Sequence, residues 1–251
     1  MRRKLPLAAL AVLALAVPVV AITYGQPDGN QHPNVGALVG TFRGQTYPYC
    51  SGTLISPTVF LTAAHCNIGT STVRVTFDSV FSSRSKLYTG TYYADPLYDQ
   101  AQSDPHDVAV VVFDKPFRGL VPAQLPTRGQ LDALPHDQAF TAVGYGGQEP
   151  VNEPHVGPVI GYLDTREFAV STLDAINPAW LRLSQNAATG DGGTCYGDSG
   201  GPNFLGAGDA ETDVVAAITV TGDVLCKATN VVYRMDTDSA RDFLGQFVVL
   251  P

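Results

Sequence analysis

Gly197-Asp198-Ser199-Gly200-Gly201-Pro202 decides how this chain of 251 residues is read. Three glycines and a proline surround one hydroxyl, which describes a backbone able to turn sharply and aim its N–H groups at one point. Two further segments supply partners for that hydroxyl: Leu61-Thr62-Ala63-Ala64-His65-Cys66 and His106-Asp107-Val108-Ala109-Val110. The order His, Asp, Ser is one of the chain orders in which a nucleophile, its base and an orienting carboxylate occur together. A serine hydroxyl is a poor nucleophile at neutral pH and needs a base within hydrogen-bond reach. An imidazole suits that task because it titrates near working pH. Asp104 competes with Asp107 for the orienting role, but Asp104 precedes a proline while Asp107 abuts the apolar run Val108 to Phe113. His32, His106, His136 and His155 stand in no comparable segment and read as structural or surface histidines.

Working outward, short β-like runs recur: Val35 to Phe42, Thr53 to Leu61, Val73 to Phe77, Val108 to Phe113, Ala139 to Val143, Val214 to Val220 and Val231 to Met235. Gly, Pro, Asp and Asn bound them, the pattern of an all-β sandwich or barrel. Leu120 to Pro135 reads as a linker between two halves. Only the tail reads as helix, capped by Asp238 or Ser239 and reaching about Phe247, with Ala240, Phe243, Leu244 and Phe247 on one face.

The first 21 residues are of another kind: Arg2, Arg3 and Lys4, then an apolar run from Leu5 to Val20, then Ala21. That is the layout of a cleaved secretory leader, and Pro6, Pro18 and the small-residue exit favour cleavage over a membrane anchor. Without it the chain carries 12 basic against 23 acidic side chains, a net charge of −11 that argues against nucleic acid as a partner. Cys50, Cys66, Cys195 and Cys226 make an even count in an exported chain, which favours disulfides with three connectivities open. No Cys/His spacing fits a zinc site, so no metal and no cofactor is expected.

On the three segments, on Cys50-Ser51-Gly52-Thr53-Leu54-Ile55 and on Val143-Gly144-Tyr145-Gly146, the chain resembles the chymotrypsin/trypsin family of serine proteases over nearly all of its length after residue 21. The resemblance implies two packed six-stranded antiparallel barrels within residues 22–251, one over about 22–122 and one over about 136–235, with a C-terminal helix over about 238–247. It implies a serine endopeptidase, monomeric, acting on proteins or peptides and open to protein inhibitors. His65, Asp107 and Ser199 would form the triad, and the N–H groups of Gly197 and Ser199 the oxyanion hole. The pairings Cys50–Cys66 and Cys195–Cys226 follow from the same resemblance.

The family also implies an activation switch, in which a free Ile22 ammonium pairs with Asp198. Ile22 directly follows Ala21, so removal of the leader would itself create that terminus; cleavage after Ala16 followed by a second cut is the alternative. The specificity pocket would be lined by Gly193, Thr194, Gly222 and Val231. Trypsin-like members carry an Asp where this chain has Gly193, so the expectation is a small to medium apolar residue before the scissile bond. Val220 and Thr221 replace the Ser-Trp pair usual in relatives, removing a hydroxyl that would touch Asp107. The rival readings are a non-catalytic homologue, which typically lacks a triad residue, and an esterase using the same triad.

Overall fold

The computed structural model of the chain describes residues 22–251; the leader expected over residues 1–21 lies outside the described residues. After the short strand β1 (Gln26–Pro27) come β2 (Val35–Phe42), β3 (Gln45–Ser56), β4 (Val59–Thr62), β5 (Thr72–Thr76), β6 (Tyr88–Ala94) and β7 (Ala109–Val112). Strands β2 to β7 close into an antiparallel barrel in the order β2-β3-β4-β7-β6-β5. Leu38, Leu54, Phe60, Leu61, Val75 and Val110 are fully buried inside this part of the molecule.

The expected single run Thr53 to Leu61 is two strands. Pro57 has no N–H for a ladder, and the Ser56 hydroxyl accepts from Thr58 N at 3.3 Å, turning β3 into β4. That hairpin aims the end of β4 at the cleft, where His65 follows.

The second half contains β8 (Ala139–Gly144), the small hairpin β9 (Val151–Glu153) and β10 (Gly157–Val159), then β11 (Glu167–Ile176), β12 (Trp180–Ser184), β13 (Pro202–Leu205), β14 (Val215–Gly222) and β15 (Thr229–Arg234). Six of these form the ring β8-β11-β12-β15-β14-β13, closed by β11 pairing back to β8. Both six-stranded antiparallel barrels implied by the resemblance are therefore present. One boundary differs from expectation. β1 pairs with the start of β11, Gln26 opposite Phe168, so the N-terminal segment lies on the second barrel, not the first.

Arg166, fully buried, fastens these parts together. Its Nε donates to Asp28 Oδ2 at 2.8 Å, and its Nη1 to the carbonyls of Val35 and Phe77 and to the Tyr145 hydroxyl. One guanidinium thus joins the N-terminal segment, the first barrel and the end of β8. The segment 120–135 crosses between barrels, with Ala123 N bonded to Leu54 O and Gln124 bridged to Val214.

The helix α1 runs Asp238–Leu244, shorter than the expected 238–247, and its cap is Thr237, whose hydroxyl accepts from Ala240 N. The chain turns at Gly245, yet Phe247 still packs on Phe243 and Tyr93, which is why its apolar spacing mimicked another helical turn. Among the described residues no helix is long and apolar enough to cross a membrane.

Candidate active site

His65 sits in a single helical turn directly after β4. Its main-chain N–H donates to Asp107 Oδ1 at 3.0 Å, and its ring Nδ1 lies 2.8 Å from Asp107 Oδ2. An ionised carboxylate only accepts, so Nδ1 carries the proton and Nε2 is left as the acceptor facing the cleft. Asp107, just before β7, is 2% exposed. Among the described residues, both hydrogen bonds that its carboxylate accepts come from His65. The Tyr92 hydroxyl donates to the carbonyls of Ala63 and Ala64, which braces the His65 turn from below. The other candidate, Asp104, accepts from the Tyr233 and Ser239 hydroxyls instead and so anchors the start of α1.

Ser199 rises on the loop between Cys195 and β13. Gly197 has φ +101°, a conformation that favours glycine, and a Cβ there would come within 3.0 Å of Gly146 Cα. The loop is pinned on several sides: Ser51 N bonds Ser199 O, Gly200 N bonds Thr219 O, and the Ser51 hydroxyl donates to Gly197 O. Ser51 also accepts from Tyr145 N, so this residue, which the sequence presented only as a neighbour of Cys50, locks the peptide after Gly197. Among the described residues, no acceptor takes the N–H of Gly197 or of Ser199. Two backbone donors therefore stand free beside the serine, the arrangement that an oxyanion requires.

Asp198 is fully buried and accepts from Gly146 N at 2.7 Å and Cys195 N at 2.9 Å. Burial outweighs those two hydrogen bonds and raises its pKa to about 7. Ile22 is fully buried too, with φ +55°, an outlier for a β-branched residue. Thr23, beside it, forms an antiparallel bridge with Gly193, Gly193 N donating to Thr23 O at 2.9 Å. The residue next to the terminus expected for activation is thus bridged to Gly193.

The cysteines pair Cys50–Cys66 and Cys195–Cys226. Cys50, His65 and Cys66 bring sulphur and nitrogen atoms within 4.8 Å, but both sulphurs are bonded to each other and offer no thiolate to a metal.

Two cavities meet at His65 and Ser199. One, of about 420 Å³, is walled by Thr194, Cys195, Thr219 to Val224 and Cys226. The other, of about 910 Å³, runs past the Cys50–Cys66 bridge and is lined by Tyr47, Tyr49, Ile68 and Tyr162. Of the four expected pocket residues, Thr194 and Gly222 line the smaller cavity, while Gly193 is not among its lining residues and Val231 pairs with Thr221 within the sheet. Beyond Ile218, β14 has β15 on one side only, which leaves the edge from Val220 to Gly222 open for an added strand. Asp191 does not reach the cavity: its carboxylate accepts from the hydroxyls of Thr172, Ser184 and Thr189.

A family model described as Trypsin matches residues 26–242. A trypsin from Phaedon cochleariae is 27% identical over 231 residues, covering 77% of this chain and 83% of that protein. A trypsin from Saccharopolyspora erythraea is 31% identical over 194 residues, covering 71% and 79%.

Proposed function

The chain belongs to the trypsin family and is a serine endopeptidase, and we propose that it works through Ser199 as nucleophile, His65 as general base and acid, and Asp107 as the group that orients the imidazole. The observation that carries this reading is the His65 ring, tied through Nδ1 to Asp107 in the same cleft wall as Ser199. His65 Nε2 takes the serine proton as the hydroxyl oxygen attacks the scissile carbonyl, then returns it to the leaving amine; water repeats the cycle on the acyl-enzyme. The Gly197 and Ser199 N–H groups stabilise the negative oxygen of each tetrahedral intermediate, an effect of roughly 3 kcal/mol per donor. Substrate lies along the free edge of β14, and the smaller cavity receives the side chain before the scissile bond. Beyond His65 and Ser199 its lining is Thr194, Tyr196, the Cys195–Cys226 bridge and the stretch Thr219 to Val224. Asp223 is the one acidic side chain in that lining, and its carboxylate already accepts main-chain N–H groups, so a small to medium apolar residue is preferred there.

The protein is secreted, its leader ending at Ala21. Release of Ile22 supplies an ammonium to Asp198, whose buried carboxyl otherwise resists ionisation. The cut also abolishes the strained φ of Ile22, since that torsion needs the preceding residue.

One experiment tests the scheme: intact-mass analysis of protein recovered from culture medium, before and after treatment with an organophosphorus fluoride. The expected species begins at Ile22 and gains one label, and Ser199→Ala gains none and loses about 10⁶-fold in kcat. A recovered protein that starts at Ile22 yet takes no label would favour a non-catalytic homologue.

A further inference from the structure

Behind the smaller cavity lies a side chain that the reaction does not use. Gln185 directly follows β12 and is fully buried. Its main-chain N–H donates to Ala228 O, and its Nε2 to Asp223 Oδ1 at 3.3 Å, so both ends are tied to the turn at residues 223–229. Its Oε1 has no hydrogen-bond partner among the described residues. A Cβ built on Gly193 would lie 2.2 Å from that oxygen and 2.6 Å from Gln185 Cβ. The carboxamide therefore fills the volume that any side chain at 193 would need. Asp223, which holds its nitrogen, and Thr194, next to Gly193, both stand in the cavity wall.

We propose that Gln185 is the specificity-determining residue of this pocket: a buried plug that, acting through an unsubstituted Gly193, sets the pocket's depth and denies it a carboxylate. The proposal rests on the endopeptidase reading above and names the residue that enforces its preference for short side chains. Glycine at 193 lets the carboxamide pack directly against the Gly193–Thr194 segment, whose threonine stands in the cavity wall, so the length of residue 185 limits how far that wall can retreat. A cationic side chain entering from above would meet an amide instead of an anion. Asp223 Oδ1 already accepts from Gln185, Lys227, Ala228 and Thr229. A buried acceptor left unpaired is a standing cost that a purely structural plug such as leucine or methionine would avoid, and such groups concentrate at functional sites.

The test uses the secreted enzyme and a peptide series that varies only in the residue before the scissile bond. Gln185→Ala should raise kcat/KM for Phe relative to Ala by at least about tenfold, since added room for a ring exceeds that for one methylene. Gln185→Met, which keeps the length, should hold the wild-type ratio within about twofold. Gly193→Asp alone should gain no cleavage after Arg or Lys, because the new side chain collides with the carboxamide, whereas Gln185→Ala combined with Gly193→Asp should gain it. An unchanged Phe-to-Ala ratio in Gln185→Ala, with active sites counted by titration, overturns the proposal. Should that variant fail to fold, Gln185→Ser gives the same reading. A wild-type enzyme that hydrolyses simple esters but no peptides would overturn the endopeptidase reading alone, and the Phe-to-Ala ratio measured on ester substrates would still decide the role of Gln185.

Discussion

Asp107 is held by its own histidine and, among the described residues, by nothing else that donates to its carboxylate. Val220, buried in the adjoining strand and lining the same cavity as His65, presents methyl groups where relatives usually have a hydroxyl. Orientation of the imidazole therefore rests on the two bonds between residues 65 and 107 and on the Tyr92 hydroxyl under the His65 turn. The family resemblance sets position 220 beside Asp107, so Val220→Ser should add one hydrogen bond to its carboxylate. We expect kcat to rise about two- to fivefold with KM little changed, since the carboxylate is away from the bound peptide. The same change removes buried methyl groups and should lower stability by about 1 kcal/mol. Steady-state kinetics together with urea unfolding separates the two effects; a kcat no higher than wild type would mean that the His65–Asp107 pair is already fully oriented.

The candidate catalytic groups come from the ends of elements, and each end is tied down by a contact from elsewhere. The Cys50–Cys66 bridge closes a separation of 16 residues and fixes β3 to the turn carrying His65; Cys195–Cys226 closes 31 residues and fixes the Ser199 loop to the far wall of the pocket. Loop-closure entropy assigns about 3 kcal/mol to the first and nearly 4 kcal/mol to the second. Replacing Cys195 and Cys226 together by Ala should cost about that in unfolding free energy and raise KM, because both residues line the smaller cavity. Replacing Cys50 and Cys66 should act mainly on kcat, through His65. Denaturant titration and the split between KM and kcat check both. The element boundaries show how far a one-dimensional pattern reaches. Val35 to Phe42 is read correctly because its apolar run ends at a turn. Thr53 to Leu61 hides a hairpin at Pro57, whose cue is one residue long. β6 buries Gly90 between the exposed Thr89 and Thr91, and β11 buries Glu167 and Ser171 while Phe168 and Val170 stay half-exposed, so their alternation of apolar and polar residues is too mixed to stand out without a partner strand.

The barrels are locked to each other and to the N-terminal segment by a buried charge network. Asp28 lies between Arg166 and His32, and the other ring nitrogen of His32 meets Glu211 at 2.7 Å. Burial alone would depress the His32 pKa, but hydrogen bonds to Asp28 and then Glu211 outweigh it and raise the value to about 9. Because the folded pKa lies above the unfolded value near 6.5, the pair's stabilisation is complete below about pH 6.5. It is lost as the pH rises towards 9. The shift corresponds to on the order of 3 kcal/mol. Unfolding free energy should therefore fall between pH 6.5 and 9 in the native protein, and His32→Phe should flatten that part of the profile while lowering the acidic end. Urea midpoints across this range test it, and parallel profiles for the two proteins would remove His32 from the account.

Local composition determined the all-β class, the three segments that hold the candidate triad and the glycines that let the serine loop turn, because each depends on residues adjacent in the chain. The cysteine pairing was open on counting alone and needed either a family resemblance or the fold. Only the tertiary structure decided that Arg166 clasps three parts of the molecule, that Ser51 locks the peptide after Gly197, and that Gln185 fills the space opened by Gly193. Those roles arise between residues far apart in sequence, and nothing in a single glutamine or arginine announces which distant backbone it will meet. The same reason moved the N-terminal segment onto the second barrel: a two-residue strand has no periodicity to read, and its place is set by the free edge of β11.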